Sequence, residues 1–183
     1  VEGNYSSALN HLNRTQTKPD PKSPTAFFRA LCLQQLGQNV EALATFDQIV
    51  QVKAPFSTEA SAQLAMLYSE QGNIQKAEES IRAALSSGAG SARLYTIQGR
   101  IHVSKGDSTQ GQNSFQQAMN LEPAYAPAYL ENGLAYIARG MTKEGVNQLK
   151  KYLDLKVAQG QESQVIEITM LVEQLEQSLS NSN

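Results

Sequence analysis

The sequence predicts an all-α fold built as an array of helix pairs, and three observations carry that prediction. Glycines recur at Gly3, Gly37, Gly72, Gly106 and Gly140, spaced 34, 35, 34 and 34 residues apart. Self-similarity at such a period marks a repeat architecture. Small residues run in phase with this series: Ala30, Ala65, Gly99 and Gly133 lie seven positions before the glycines of residues 37–140, and Ala42, Ala77, Gly111 and Gly145 lie five after them. Large residues keep fixed offsets too, with Phe46, Ile81, Phe115 and Leu149 nine positions after the same glycines.

Each observation has a physical reading. Glycine at the end of a helical pattern supplies the left-handed conformation that stops the helix. One small residue on each of two helices, twelve positions apart, permits close backbone approach where the helices cross. Leu33, Tyr68, His102 and Tyr136, then Tyr95 and Tyr129, then Ile49, Ala84, Ala118 and Tyr152 fill the space around that crossing. No such unit buries its apolar face alone, so neighbours must stack.

In chain order, residues 1–22 read as half a repeat and a connector. Gly3, Ala8 and Leu12 match the turn glycine, the second small residue and a following large one. The first helix of that unit would lie before Val1, and the chain is expected to be a piece of a longer array. Thr17 to Pro24 is a proline-punctuated connection. Four repeats follow at 23–57, 58–91, 92–125 and 126–159. Residues 160–180 read as a capping helix, its stripe of Val165, Ile168, Leu171, Val172, Leu175 and Leu179 covering the last face. A coiled-coil partner helix is the alternative for that stripe. Residues 181–183 are a tail, with fraying expected from Ser180 onward.

The pattern resembles the tetratricopeptide repeat family. Residues 58–91 match best through Leu64, Ala65, Tyr68, Gly72, Ala77 and Ala84, and 92–125 through Tyr95, Gly99, Gly106, Phe115, Ala118 and Pro123. Departures are local. Arg29, Gln98 and Asn132 stand where the family usually carries an apolar residue, and Ile49 and Tyr152 replace a small one, so repacking is expected there. The resemblance implies a right-handed superhelical α-solenoid of antiparallel helix pairs, its first helices lining a concave groove. By register that groove takes Phe27, Leu31, Gln34 and Gln35 from the first full unit. Glu59, Ala62, Met66, Ser69 and Glu70 come from the second, and Arg93, Thr96, Arg100, Val103 and Ser104 from the third. Leu130, Leu134, Ile137 and Ala138 complete it. Repeats that clamp the C-terminal carboxylate of heat-shock chaperones use Lys and Asn where this chain has Phe27, Leu31, Ala62 and Met66. An amphipathic helix or a mixed-polarity peptide suits these residues better.

Composition excludes several function classes. The chain has 183 residues, 15 Lys+Arg against 17 Asp+Glu, two His, one Cys and no Trp. A net charge of −2 gives no basic footprint for nucleic acid. Lys143, Lys150, Lys151 and Lys156 bias one helix, but Glu144 and Asp154 dilute them. A lone cysteine forms no internal disulfide and no multi-cysteine zinc site. His102 occupies a core-lining register position, His11 reads as exposed, and no second ligand is in phase with either. Cys32 sits in an apolar helix with no base in view, so a buried thiol is expected. Gly88-Ala89-Gly90 is a turn without the Gly or Lys of a phosphate loop. Glu41, Glu78 and Glu79 begin second helices, where they suit the dipole. Asn4-Tyr5-Ser6 and Asn13-Arg14-Thr15 match the glycosylation sequon by a pattern short enough to arise by chance.

The expectation is therefore a non-enzymatic scaffold binding a protein or peptide, with no catalytic residues, cofactor or metal, no nucleic acid and no direct membrane insertion. A bacterial protein or complex is expected, with pilus, secretion or other envelope machinery as the analogy. The start of the chain shows no signal-peptide pattern. The bacterial cytoplasm fits, as does the periplasm if an upstream signal was removed. Two alternatives stand beside this: a homo-oligomer stacking through its terminal repeats, and a regulatory segment of a larger enzyme.

Overall fold

In a computed structural model, residues 2–15, 20–88, 90–161 and 165–181 are described. Thr17 to Pro19 of the connector, Ala89, and Ser182 and Asn183 of the tail lie outside them. Two compact units divide the chain at residues 89 and 90. The first unit holds α1 (Glu2–Thr15), α2 (Pro24–Gln35), α3 (Asn39–Gln51), α4 (Ser57–Glu70) and α5 (Ile74–Ser86). The second holds α6 (Ala92–Ser104), α7 (Ser108–Leu121), α8 (Ala126–Ala138), α9 (Thr142–Ala158) and α10 (Ile166–Asn181). Among the described residues these ten helices are the regular structure, arranged in tandem antiparallel pairs.

The turn glycines act as their spacing predicts. Gly37, Gly72, Gly106 and Gly140 all take positive φ, between 73° and 91°. At each, the next residue's N–H donates to the carbonyl five residues back, as in Gln38 N to Leu33 O at 2.9 Å and Asp107 N to His102 O at 2.9 Å. This 6→1 bond closes a Schellman cap. Gly160 ends α9 in the same way, with Gln161 N on Lys156 O at 3.0 Å. Side-chain caps start several helices: Ser23 Oγ accepts from Thr25 N, Asn73 Oδ1 from Lys76 N, Ser91 Oγ from Leu94 N and Asp107 Oδ1 from Gln110 N.

Lys53 does the same job at the end of α3 without being glycine. Its φ is 50°, and Ala54 N donates to Ile49 O at 3.1 Å across it. A side chain in this region costs about 1 kcal/mol or more. Lys53→Gly is expected to stabilise the protein by about 0.5–1 kcal/mol, after the entropy of a freer unfolded chain is subtracted. Urea unfolding reads this directly, and a lower midpoint in the variant would contradict it.

The small residues lie at the crossings. Ala30, Ala42, Ala65 and Ala77 are fully buried. In the second unit, a Cβ placed on Gly145 would stand 2.9 Å from the carbonyl oxygen of Gly133, and one on Gly111 3.1 Å from that of Gly99. The two backbones of each hairpin therefore touch. Phe46, Phe115, Leu149 and Ile81 surround the crossings and are buried.

Some details depart from expectation. Gly3 lies inside α1. Ala8 is exposed, and Leu9 is the α1 residue packed on the core of α2 and α3. Of the polar departures, Arg29 Nε donates to Asn13 Oδ1 at 3.0 Å, Gln98 Oε1 accepts from Ser114 Oγ at 3.2 Å, and Asn132 is buried. Ile49 and Tyr152 are also buried, Tyr152 with the Lys156 ammonium 5.9 Å above its ring. α10 starts at Ile166 and runs to Asn181, with Ser180 Oγ donating to Glu176 O.

Candidate functional site

α6 and α8 are first helices of successive pairs. Between them lies a cleft of about 250 Å³, lined by Arg100, Val103 and Ser104 of α6, Phe115 of α7, and Glu131, Leu134, Ala135 and Ala138 of α8. Its floor is the ring of buried Phe115, and its walls are aliphatic. Its rim is charged: Arg100 Nε stands 3.5 Å from Glu131 Oε1, with both side chains partly exposed. The cleft thus offers an apolar slot with a cation and an anion at one edge.

Burial pushes the Glu131 carboxyl above its ordinary value, and the Arg100 guanidinium pulls it partly back. A raised carboxylate pKa in the folded chain means that ionising Glu131 costs stability. That cost is absent below the unfolded-state pKa and grows as pH rises through the folded value. Glu131→Gln should therefore improve stability, relative to the parent, more at neutral than at acidic pH. Urea unfolding at the two pH values checks this, and an advantage confined to acidic pH would oppose it.

The structure brings five sequence-predicted groove residues together here: Arg100, Val103, Ser104, Leu134 and Ala138. The others are placed differently. Phe27, Ala62 and Thr96 are buried, Phe27 stacked on Phe56 with ring centroids 5.2 Å apart. Leu130 and Ile137 pack against the core that α8 shares with α9 and α10. Leu31, Gln34, Met66 and Ser69 are half-buried, while Gln35, Glu59, Glu70 and Arg93 are exposed. Glu131 escaped the sequence reading because its register position carries Phe28, Gln63 and Ile97 in the other units. The signal that could have found it is its opposite charge to Arg100 on the neighbouring first helix.

Other candidate chemistry reduces to packing. Burial raises the Cys32 thiol, as expected of an inert residue. His102 is half-buried with an unpaired Nδ1, and His11 is exposed. Lys150 pairs with Glu176, and Lys156 donates to Gln161 Oε1 at 2.7 Å. Among the described residues, no group of three or more His, Cys, Asp or Glu side chains is placed to hold a metal ion. No described helix is long and apolar enough to cross a membrane.

The family model of the tetratricopeptide repeat matches residues 58–87 and 92–125. The chain carries tetratricopeptide repeats. No curated protein matches it in sequence, but solved tetratricopeptide-repeat structures share its fold. TTC0263, a thermophilic TPR protein of Thermus thermophilus, is 19% identical with a TM-score of 0.76, covering 94% of this chain and 91% of its own. MamA of Desulfovibrio magneticus RS-1, from residue 41 to its end, is 20% identical with a TM-score of 0.68, covering 86% and 88%. YrrB, described as a TPR protein with an unusual peptide-binding site, is 14% identical with a TM-score of 0.60, covering 91% of each chain. A tetratricopeptide-repeat fold of this kind is that of a protein–protein interaction scaffold.

Proposed function

We propose that this chain is a non-enzymatic scaffold whose first helices dock an amphipathic helix or mixed-polarity peptide, in a bacterial complex. The observation that carries the reading is the α6–α8 cleft, where an apolar slot opens beside Arg100 and Glu131. A slot fits one large aliphatic or aromatic anchor, and a half-exposed Arg beside it fixes the ligand's register through a charge-assisted hydrogen bond. In the first unit, Leu31, Gln34 and Gln35 of α2 and Glu59, Met66, Ser69 and Glu70 of α4 offer a comparable mix of apolar and polar side chains. The peptide-binding site named for YrrB supports a ligand of this type on the same fold. The bacterial source of TTC0263 supports the setting.

The test is selection of peptides from a displayed random library on the full chain, followed by affinity measurement on variants. Arg100→Glu and Leu134→Glu should each weaken the selected peptides about tenfold or more. Gln75→Glu, on the exposed face of α5, should leave them unchanged. Equal binding by all three variants would remove the docking role of this face.

A further inference from the structure

α10 carries a feature that its capping role leaves unused. A surface helix normally keeps its solvent face polar. α10 buries Val172 and packs Ile168, Leu171 and Leu175 against Val146 and Leu149 of α9. On the opposite face Ile166 and Met170 are 62% and 64% exposed. Glu173 and Gln177 continue that face, completing an i, i+4, i+7, i+11 ridge with two apolar anchors, and exposed Glu167 stands at its edge. This is the anchor spacing of a helix that lies in a groove, and methionine is a side chain that adapts to an irregular slot.

The α6–α8 face has the complementary chemistry. Its slot is apolar, and α6 presents Arg100 at the rim and Arg93 seven residues earlier, about 10 Å along the helix axis. Among the described residues no carboxylate forms an ion pair with Arg93. Glu167 and Glu173 of α10 are six residues apart, about 9 Å along theirs. We infer that the cleft of one molecule seats α10 of a second copy, with Met170 in the slot and Glu173 against Arg100. The occupant must come from another copy, since α10 is fixed to α9 through Val172 and the Lys150–Glu176 pair. Folding back into its own cleft would dismantle that packing. A groove on one side and a ridge on the other make a head-to-tail contact, so assembly propagates rather than closing as a two-fold dimer.

The inference rests on the docking role of α6 and α8, and the experiment separates the two. Sedimentation velocity of the full chain over roughly a hundredfold concentration range should show a weight-average mass that rises with concentration and falls with added salt. Met170→Glu, which lies on an exposed face away from the Arg100–Glu131 pair, should abolish the rise. Glu173→Arg should weaken association, and adding Arg100→Glu to it should restore the rise. A strict monomer at every concentration overturns the inference, as does association that survives Met170→Glu or a charge swap that restores nothing. If the chain stays monomeric while library-selected peptides still lose affinity on Arg100→Glu, the second copy is excluded and the docking face stands. If Arg100→Glu alters neither readout, both readings fall.

Discussion

Phe115→Ala is expected to lower the unfolding free energy by about 3–5 kcal/mol, the range for deleting a buried aromatic ring. Phe115 is 1% exposed, and its ring fills the space left by the absent side chain of Gly99. A Cβ on Gly99 would stand 2.4 Å from one ring carbon and 2.6 Å from another. Gly99→Ala alone should therefore destabilise the protein, although alanine gains about 1 kcal/mol over glycine in a helix interior. With the ring removed the sign should reverse, because the new methyl group enters a cavity instead of a ring. A double-mutant cycle in urea should give a coupling of about 1 kcal/mol or more. Simple additivity would show that the two residues do not share one volume. The same ring floors the α6–α8 cleft, so its loss should also deepen the slot.

Gly145→Val is the second large effect, at about 2–3 kcal/mol of destabilisation. A Cβ there would meet Ile137 Cγ1 at 2.5 Å and the Gly133 carbonyl oxygen at 2.9 Å. The first is the γ-methylene of a β-branched side chain that is stiff at χ1 in a helix, and the second is backbone itself, so neither moves aside at low cost. The α8–α9 crossing must open, and the separation between helix axes is what the valine forces up. The measurement is the shift in urea midpoint. An unchanged midpoint would mean that the crossing is slack and that the small-residue register has another cause.

The fold was largely legible because the repeat imposes one demand four times. A turn needs positive φ, and glycine meets it at Gly37, Gly72, Gly106 and Gly140; a crossing needs small residues, and the same register supplies them. At α1 the register misled: Gly3 and Ala8 carry the pattern, yet Gly3 lies within the helix and Ala8 is exposed, with Leu9 the residue packed on the core. The candidate site was legible only in part. Register put Arg100, Val103, Ser104, Leu134 and Ala138 on α6 and α8, where they line one cleft, since side chains spaced three or four apart share a helix face. It could not say that Phe27 would stack on Phe56, or that Leu130 and Ile137 would turn to the core with α9 and α10. Those outcomes depend on which neighbouring helix covers each position. Glu131 was missed for the converse reason, because the equivalent positions in the other units carry no acidic residue. Ile166 and Met170 lie outside the apolar stripe that marks α10 as a cap, so a search for amphipathic periodicity passes over them.

Hydrogen exchange on the full chain, with and without the tightest peptide from the library selection, tests the docking claim most directly. Docking on the first helices predicts slowed exchange in α6 and α8, at residues 92–104 and 126–138, with that slowing lost in Leu134→Glu. Slowing confined to α7 and α9, with α6 and α8 unchanged, would contradict it.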